Sequence, residues 1–244
     1  WDWRFLSLIF ISSASDFILG SLIFNSKKKK YQKIYLLTSL FLNLSMLGFF
    51  KYFNFFIDSL MNVTSQFGYH FNINTLHIIL PVGISFYTFQ TLSYTIDIYR
   101  KKLVPTKNVI AFFAFVSFFP QLVAGPIERA SNLLPQFLSK RSFSNKSAKD
   151  GLRQILWGLI KKVVIADTLA LQVDQIFNAP NYSTLPGITL ILGGFLFAFQ
   201  LYCDFSGYSD IAIGTSRLFG FSLMRNFALP FFSRNIGELW QRWH

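Results

Sequence analysis

The segment Arg234-Asn-Ile-Gly-Glu-Leu-Trp-Gln-Arg-Trp-His244 puts an imidazole beside tryptophans and arginines at the end of a very apolar chain. Histidine is the side chain best suited to moving protons near neutral pH. Asn235 with Glu238 three positions on has the form of a helix-starting capping box. A helix continuing through the segment puts Trp240 and His244 on one face at i, i+4, where the indole would wall the imidazole from water. The same residues suit a headgroup-level anchor, since Trp, Arg and His settle at membrane interfaces. Physics alone leaves these two readings level.

Asp204 and Asp210 are the second candidate, carboxylates in an otherwise apolar run. Ionisable groups at membrane depth are costly and need partners. Arg217 lies on the face of Asp210 but two turns away, so a partner on another helix serves equally. The plainer reading, for these two and for Asp16 and Asp97, is a polar network that packs helices. His70 and His77 have no carboxylate, cysteine or second histidine at metal-ligand spacing and read as ordinary surface or interface positions. The single cysteine, Cys203, excludes an internal disulfide. No phosphate loop, Walker lysine or nucleophile elbow is present. Neither a metal nor a bound cofactor is expected.

The elements that must hold these groups are membrane helices. The chain is 52% hydrophobic and 14% charged, with 31 phenylalanines among its 244 residues, outside the range of soluble domains. Its net charge of +12 is carried between apolar blocks, as in a multi-span membrane protein; nucleic acid, which needs a basic soluble face, is excluded as a partner. Phe5 to Phe24 is long enough to span and ends at Lys27-Lys-Lys-Lys30, placed in the cytoplasm by the positive-inside rule. Ile34 to Ile57 returns the chain outward, to a loop at Asp58–Thr75 without Lys or Arg. Leu76 to Tyr99 comes back in, with a break near Pro81 and Gly83. Its many polar residues must face other helices or a cavity.

Val109 to Ala124 is too short to span, contains Pro120 and closes on Gly125-Pro126. Both flanks are basic, so it reads as re-entrant, marking where a cavity could lie. Ala148 to Leu171 mixes apolar residues with Lys149, Arg153, Lys161 and Lys162, as an interfacial amphipathic helix would. Pro186 to Phe205 is the next span, followed by the small-residue stretch Ser206–Ser216. Phe219 to His244, broken by Pro230, should form interfacial or buried helices. The expected fold is all-α: a polytopic integral-membrane bundle with a re-entrant segment and interfacial helices, residues 1–244 forming one domain. A chain that starts at Trp1 and stops at His244 reads as an internal piece of a longer protein.

Leu80-Pro-Val-Gly-Ile-Ser-Phe-Tyr-Thr-Phe-Gln90 with Tyr94-Thr-Ile-Asp-Ile-Tyr-Arg100 resembles the membrane-bound O-acyltransferase family. So do Val116-Ser-Phe-Phe-Pro-Gln-Leu-Val-Ala-Gly-Pro-Ile-Glu-Arg129 and Leu201-Tyr-Cys-Asp-Phe-Ser-Gly-Tyr-Ser-Asp210. The likeness is strongest to the bacterial polysaccharide branch, typified by the membrane subunit of alginate O-acetylation. Glu238-Leu-Trp-Gln-Arg-Trp-His244 is similar to the segment carrying one of that branch's two hallmark histidines.

The resemblance implies a helical bundle around a tunnel in the cell (inner) membrane. An activated acyl group, carried by a thioester such as acetyl-CoA, enters from the cytoplasm. It is passed towards a hydroxyl of an extracytoplasmic polysaccharide, with an extracytoplasmic partner protein assisting. His244 would then be the catalytic general base, Trp240 and Trp243 would shape its site, and Asp204, Tyr208, Asp210 and Arg234 would support it. The second hallmark histidine falls beyond the last residue, so these residues alone are expected to lack acyltransferase activity. Teichoic-acid D-alanylation is a related possibility. The rivals are a transporter or channel, which also uses broken helices and intramembrane carboxylates, and a non-enzymatic membrane scaffold.

Overall fold

A computed structural model describes residues 5–68, 80–122, 125–179 and 184–243, and all regular structure among them is helical. The chain divides into two compact units, residues 1–118 with 129–138 and residues 119–128 with 139–244.

In the first unit α1 (Leu6–Asn25) and α2 (Lys29–Leu47) form an antiparallel hairpin around the lysine-rich turn. α2 continues through a wider π turn, Gly48–Tyr52, into α3 (Phe53–Gln66). The loop expected from Asp58 is therefore helical to Gln66. Lack of Lys and Arg there spoke to sidedness rather than conformation, and no helix breaker precedes Gly68. α1 and the continuous helix Lys29–Gln66 are both long and apolar enough to cross a membrane.

α4 (Ile84–Tyr99) runs beside both, starting after Gly83, which takes the left-handed conformation with φ of 76°. That conformation strains any residue with a side chain, and it supplies the break expected near Pro81. The described helix has 16 residues, shorter than the expected span; residues 76–79 lie outside the described residues. The polar side of α4 turns inward, as its composition requires. Asp16 accepts hydrogen bonds from Ser39 Oγ at 2.6 Å and Asn43 Nδ2 at 2.8 Å, while Ser12 donates to Asn43 Oδ1 at 2.6 Å. Thr91 and Thr95 join from α4, and all six side chains are buried. Asp16 is thus part of a helix-packing network, the plainer of its two readings. Asp97 accepts from Ser131 Oγ at 3.1 Å on α7 (Ala130–Leu138). α5 (Val109–Val116) packs on α1 and α4 through Phe112, whose ring lies 4.6 Å from Tyr94.

The second unit opens with α6 (Phe119–Leu122). The segment expected to be re-entrant is thus two short helices, α5 and α6, parted at Ser117-Phe118. The Pro120 ring restricts the residue before it.

The rest is built on a long hairpin. α8 (Asn145–Leu159), a π turn (Ile160–Ala166) and α9 (Asp167–Phe177) form one continuous helix. It runs antiparallel along α10 (Gly187–Leu218), a 32-residue helix also long and apolar enough to cross a membrane. The small-residue stretch Ser206–Ser216 is simply its second half. The backbones meet at glycines. A Cβ on Gly158 would stand 2.5 Å from the Gly207 carbonyl oxygen, and one on Gly151 2.7 Å from that of Gly214. The converse contacts are 2.8 and 2.5 Å. Only glycine allows this approach. The stretch Ala148–Leu171, expected to be an interfacial amphipathic helix, is laid along α10 with Gly151, Gly158, Lys161 and Lys162 turned to it. After α10 the chain runs extended, turns at Pro230–Phe232 and ends in α11 (Ile236–Arg242).

Candidate functional site

The site is assembled on the inner side of the hairpin. Asp210 finds its partners on the neighbouring helix rather than at Arg217: Lys161 Nζ at 2.6 Å and Gln154 Nε2 at 2.9 Å. The Lys161 and Asp210 side chains are only 14% and 20% exposed. The Lys161 ammonium also lies 5.8 Å from the Trp157 ring centre and 5.9 Å from that of Tyr202, within reach of cation–π attraction. One residue on, Lys162 bonds Asp204 at 2.7 Å and Asp167 at 2.8 Å. Neighbouring residues on an ordinary helix diverge. Here both lysines lie in the π turn, and both reach carboxylates of α10. Such turns recur at functional sites.

The Lys161–Asp210 pair forms part of the wall of a cavity of about 540 Å³, with Gln154, Tyr202, Ser206 and Phe227 among its other lining residues. That volume is in the usual range for small-molecule sites. Cys203, buried, also lines it.

The chain end is fastened beside this cavity. Asn235 caps α11, its Oδ1 accepting from Glu238 N at 2.8 Å. The Glu238 carboxylate turns back to Arg234, accepting from its backbone N at 3.0 Å and its Nε at 3.1 Å, and from Arg242 Nη2 at 2.5 Å. The expected capping box is present with its return bond displaced by one residue. The Arg234 backbone N–H, then its guanidinium, then Arg242 hold the Glu238 carboxyl below the ordinary carboxylate range. At the far end of α11, Arg242 O accepts from Ala228 N at 2.9 Å. Trp243 sits in an aromatic cluster, 5.4 Å from Phe227, 6.1 Å from Tyr202 and 6.3 Å from Phe231. Two of these rings, Phe227 and Tyr202, line the cavity.

Of the residues singled out in the sequence, Asp210 lines the cavity and Trp243 packs on its wall. Asp204 is engaged by Lys162, Arg234 by α11 itself, and Tyr208 is half-buried on α10. Trp240 is 66% exposed. α11 stops at Arg242, and Trp243 is extended with φ of −94° and ψ of 118°. Trp243 rather than Trp240 therefore packs on the cavity wall. His244, like His70 and His77, lies outside the described residues.

Sequence reading missed Lys161, Gln154 and Ser206. The signal was there: an adjacent lysine pair within Ile160–Ala166 and two aspartates in the next apolar helix call for each other. A second cavity, of about 500 Å³, opens at the other end of the hairpin between Arg141, Ser144, Ser147, Arg217 and Phe221. Arg141 stacks 4.3 Å over the Phe221 ring there.

The model of the MBOAT, membrane-bound O-acyltransferase family matches residues 100–244. The sequence is 45% identical over 210 residues to the probable alginate O-acetylase of Pseudomonas putida, covering 86% of this chain and 42% of that protein. It is 35% identical over 270 residues to the peptidoglycan O-acetyltransferase of Helicobacter pylori, covering 100% of this chain and 50% of that protein. Over 176 residues it is 28% identical to the teichoic acid D-alanyltransferase of Streptococcus thermophilus, covering 67% of this chain and 40% of that protein. The chain spans about half the length, or less, of these relatives.

Proposed function

The chain belongs to the membrane-bound O-acyltransferase family, and from that premise we propose that it serves an O-acetyltransferase of the bacterial cell membrane. The enzyme moves an acetyl group from a cytoplasmic thioester such as acetyl-CoA towards a hydroxyl of a glycan outside, with an extracytoplasmic protein assisting. The names of the alginate and peptidoglycan relatives support both the acetyl group and the polysaccharide acceptor. The single observation that carries the reading for this chain is the fastening of Trp243 against Tyr202 and Phe227. It sets residue 244, the candidate base, next in chain to a side chain packed on a polar cavity's wall.

His244 takes the proton of the attacking hydroxyl as it adds to the thioester carbonyl. The thiol then leaves with the proton and the ester remains. The role requires the neutral imidazole, the form that a dry site favours because desolvation disfavours the charged one. Arg141 and Arg217 at the second cavity suit the phosphates of a nucleotide-bearing thioester. Asp204, Tyr208, Arg234 and Trp240 support the site through the hairpin and α11 rather than by touching the reacting groups.

The hairpin's sidedness agrees with this direction of transfer. Lys140, Arg141, Lys146 and Lys149 lie at or just before its open end with Arg217, while residues 178–186, which join α9 to α10, carry no Lys or Arg. Under the positive-inside rule the open end is cytoplasmic, so that Asn145–Phe177 crosses with α10 and the second cavity faces the donor.

The test is the O-acetyl ester content of surface glycans in cells expressing the full-length protein, wild type against His244→Ala at equal membrane abundance. Loss of esters supports the reading; unchanged esters remove His244 from catalysis, and unchanged esters on deleting the gene remove the function. The D-alanyltransferase relative motivates one second reading, transfer of D-alanine. Mild alkaline hydrolysis of the same material, releasing D-alanine instead of acetate, would decide for it.

A further inference from the structure

Four groups converge on one stretch of the 540 Å³ cavity wall: Lys161, Asp210, Gln154 and Ser206. Two of them are satisfied by each other, since Lys161 and Gln154 both donate to Asp210. The other polar atoms are not. Ser206 is 2% exposed, and its Oγ has no hydrogen-bond partner among the described residues; neither has the buried Oε1 of Gln154. A buried hydroxyl or carbonyl left unpaired is destabilising, and a packing surface would avoid it with alanine and leucine. Both side chains line the cavity, so a turn of either one brings these unpaired atoms to a group that enters. Lys161 has three N–H donors, one of which is directed to Asp210.

We propose that Lys161 is a ligand-contacting residue, its ammonium fixed by Asp210 to donate a hydrogen bond into the cavity, with Ser206 and Gln154 Oε1 completing the ligand's polar contacts. The inference rests on the acyltransferase reading and deepens it. The complement of this wall is an uncharged group that carries both an O–H or N–H and an acceptor oxygen: the donor hydrogen meets Gln154 Oε1, and the oxygen meets Lys161 and Ser206. Because Asp210 neutralises the ammonium, this stretch of wall suits an uncharged group, while Arg217 and Arg225, which also line the cavity, can meet an anionic part of the same ligand. Hydroxyl groups of the acceptor and amide groups of the thioester's arm share this chemistry. The hydrophobic rest of the wall, Trp157, Tyr202 and Phe227, leads to Trp243 and so towards the transfer site.

A purely structural role for the pair predicts that any well-packed replacement works, since buried ion pairs can be exchanged for apolar residues without loss of stability. The experiment uses the full-length protein in membrane vesicles with radiolabelled acetyl-CoA and a glycan oligomer prepared from the same cells. The pair is replaced as Lys161→Met with Asp210→Leu, and Lys161→Arg and Ser206→Ala are made singly. Expected is membrane abundance near wild type for the apolar pair with transfer lowered about tenfold to a hundredfold, the effect of one charge-assisted hydrogen bond to the ligand. Lys161→Arg restores part of it. Ser206→Ala leaves abundance unchanged and raises KM several-fold. A rise against acetyl-CoA identifies the donor arm as the bound group, and a rise against the oligomer identifies the acceptor.

Wild-type transfer by the apolar pair, or by Ser206→Ala with unaltered KM, overturns the proposal. If the apolar pair fails to accumulate, the Ser206→Ala result decides alone. Absence of transfer by the wild type instead overturns the acyltransferase reading on which the proposal stands.

Discussion

Glu238 gives the site a pH limit on its acid side. Its carboxyl is held below the ordinary range by Arg234 and Arg242. A group whose folded value is depressed adds stability that is present above its unfolded value and is lost as pH falls through the folded one. The fastening of α11 should therefore hold at neutrality and loosen on acidification below about pH 4, the ordinary carboxylate value. Amide hydrogen exchange across Ile236–Arg242 reads this directly: protection should fall with pH in the wild type. In Glu238→Gln it should be weaker at pH 7 and nearly flat on acidification. Equal acid sensitivity in the two proteins would refute the assignment. At this scale the sequence was legible where the partner is local, as with Asn235 and Glu238, which lie within one turn. It was silent where the partner is distant in the chain. Asp210 and Lys161 lie in different helices, and nothing in either segment alone says which face meets which.

The hairpin of Asn145–Phe177 with α10 depends on four glycines at a seven-residue spacing, Gly151 and Gly158 against Gly207 and Gly214. Adding a methyl group at Gly207 puts it 2.8 Å from the Gly158 carbonyl oxygen, against backbone that cannot yield cheaply. Gly207→Ala should destabilise the protein by about 1–3 kcal/mol. Gly194 in the same helix has open space around its Cβ position, so Gly194→Ala should be neutral or gain up to about 1 kcal/mol from helix propensity. Thermal inactivation of the two variants in detergent should move in opposite directions; a common direction would mean that the helices are not in backbone contact at Gly207. The seven-residue glycine spacing was visible in the sequence on both helices. Reading Ala148–Leu171 as an interfacial amphipathic helix did not use it, because the charged residues dominated the hydropathy pattern.

For the whole molecule, the apolar blocks and basic loops located α1, α2 and α10, since length and hydropathy report membrane depth directly. They could not locate the proposed crossing by Asn145–Phe177, whose Lys161 and Lys162 are paired with Asp210 and Asp204 of the helix beside it and with Asp167 of its own. The proposed crossing has a direct test in the full-length protein with every native cysteine replaced by serine. In that background Asn178→Cys should react with a membrane-impermeant maleimide added outside intact spheroplasts. Lys146→Cys should react only after lysis. Labelling of both from the same side would leave Asn145–Phe177 on the surface and move the second cavity away from the donor.

Evenly spaced glycine notches also carry an ambiguity, like a ratchet that can engage one tooth too far. Sliding one helix by seven residues would seat Gly158 against Gly214 with the same backbone fit. It would also bring Lys161 opposite Arg217, two like charges facing across the seam. The opposite slip, Gly151 on Gly207, would leave Lys161 at Cys203 and Lys162 among phenylalanines. The charges thus choose the tooth: the notches let the helices meet in more than one setting, but only one satisfies both lysines, and it is the setting that builds the cavity.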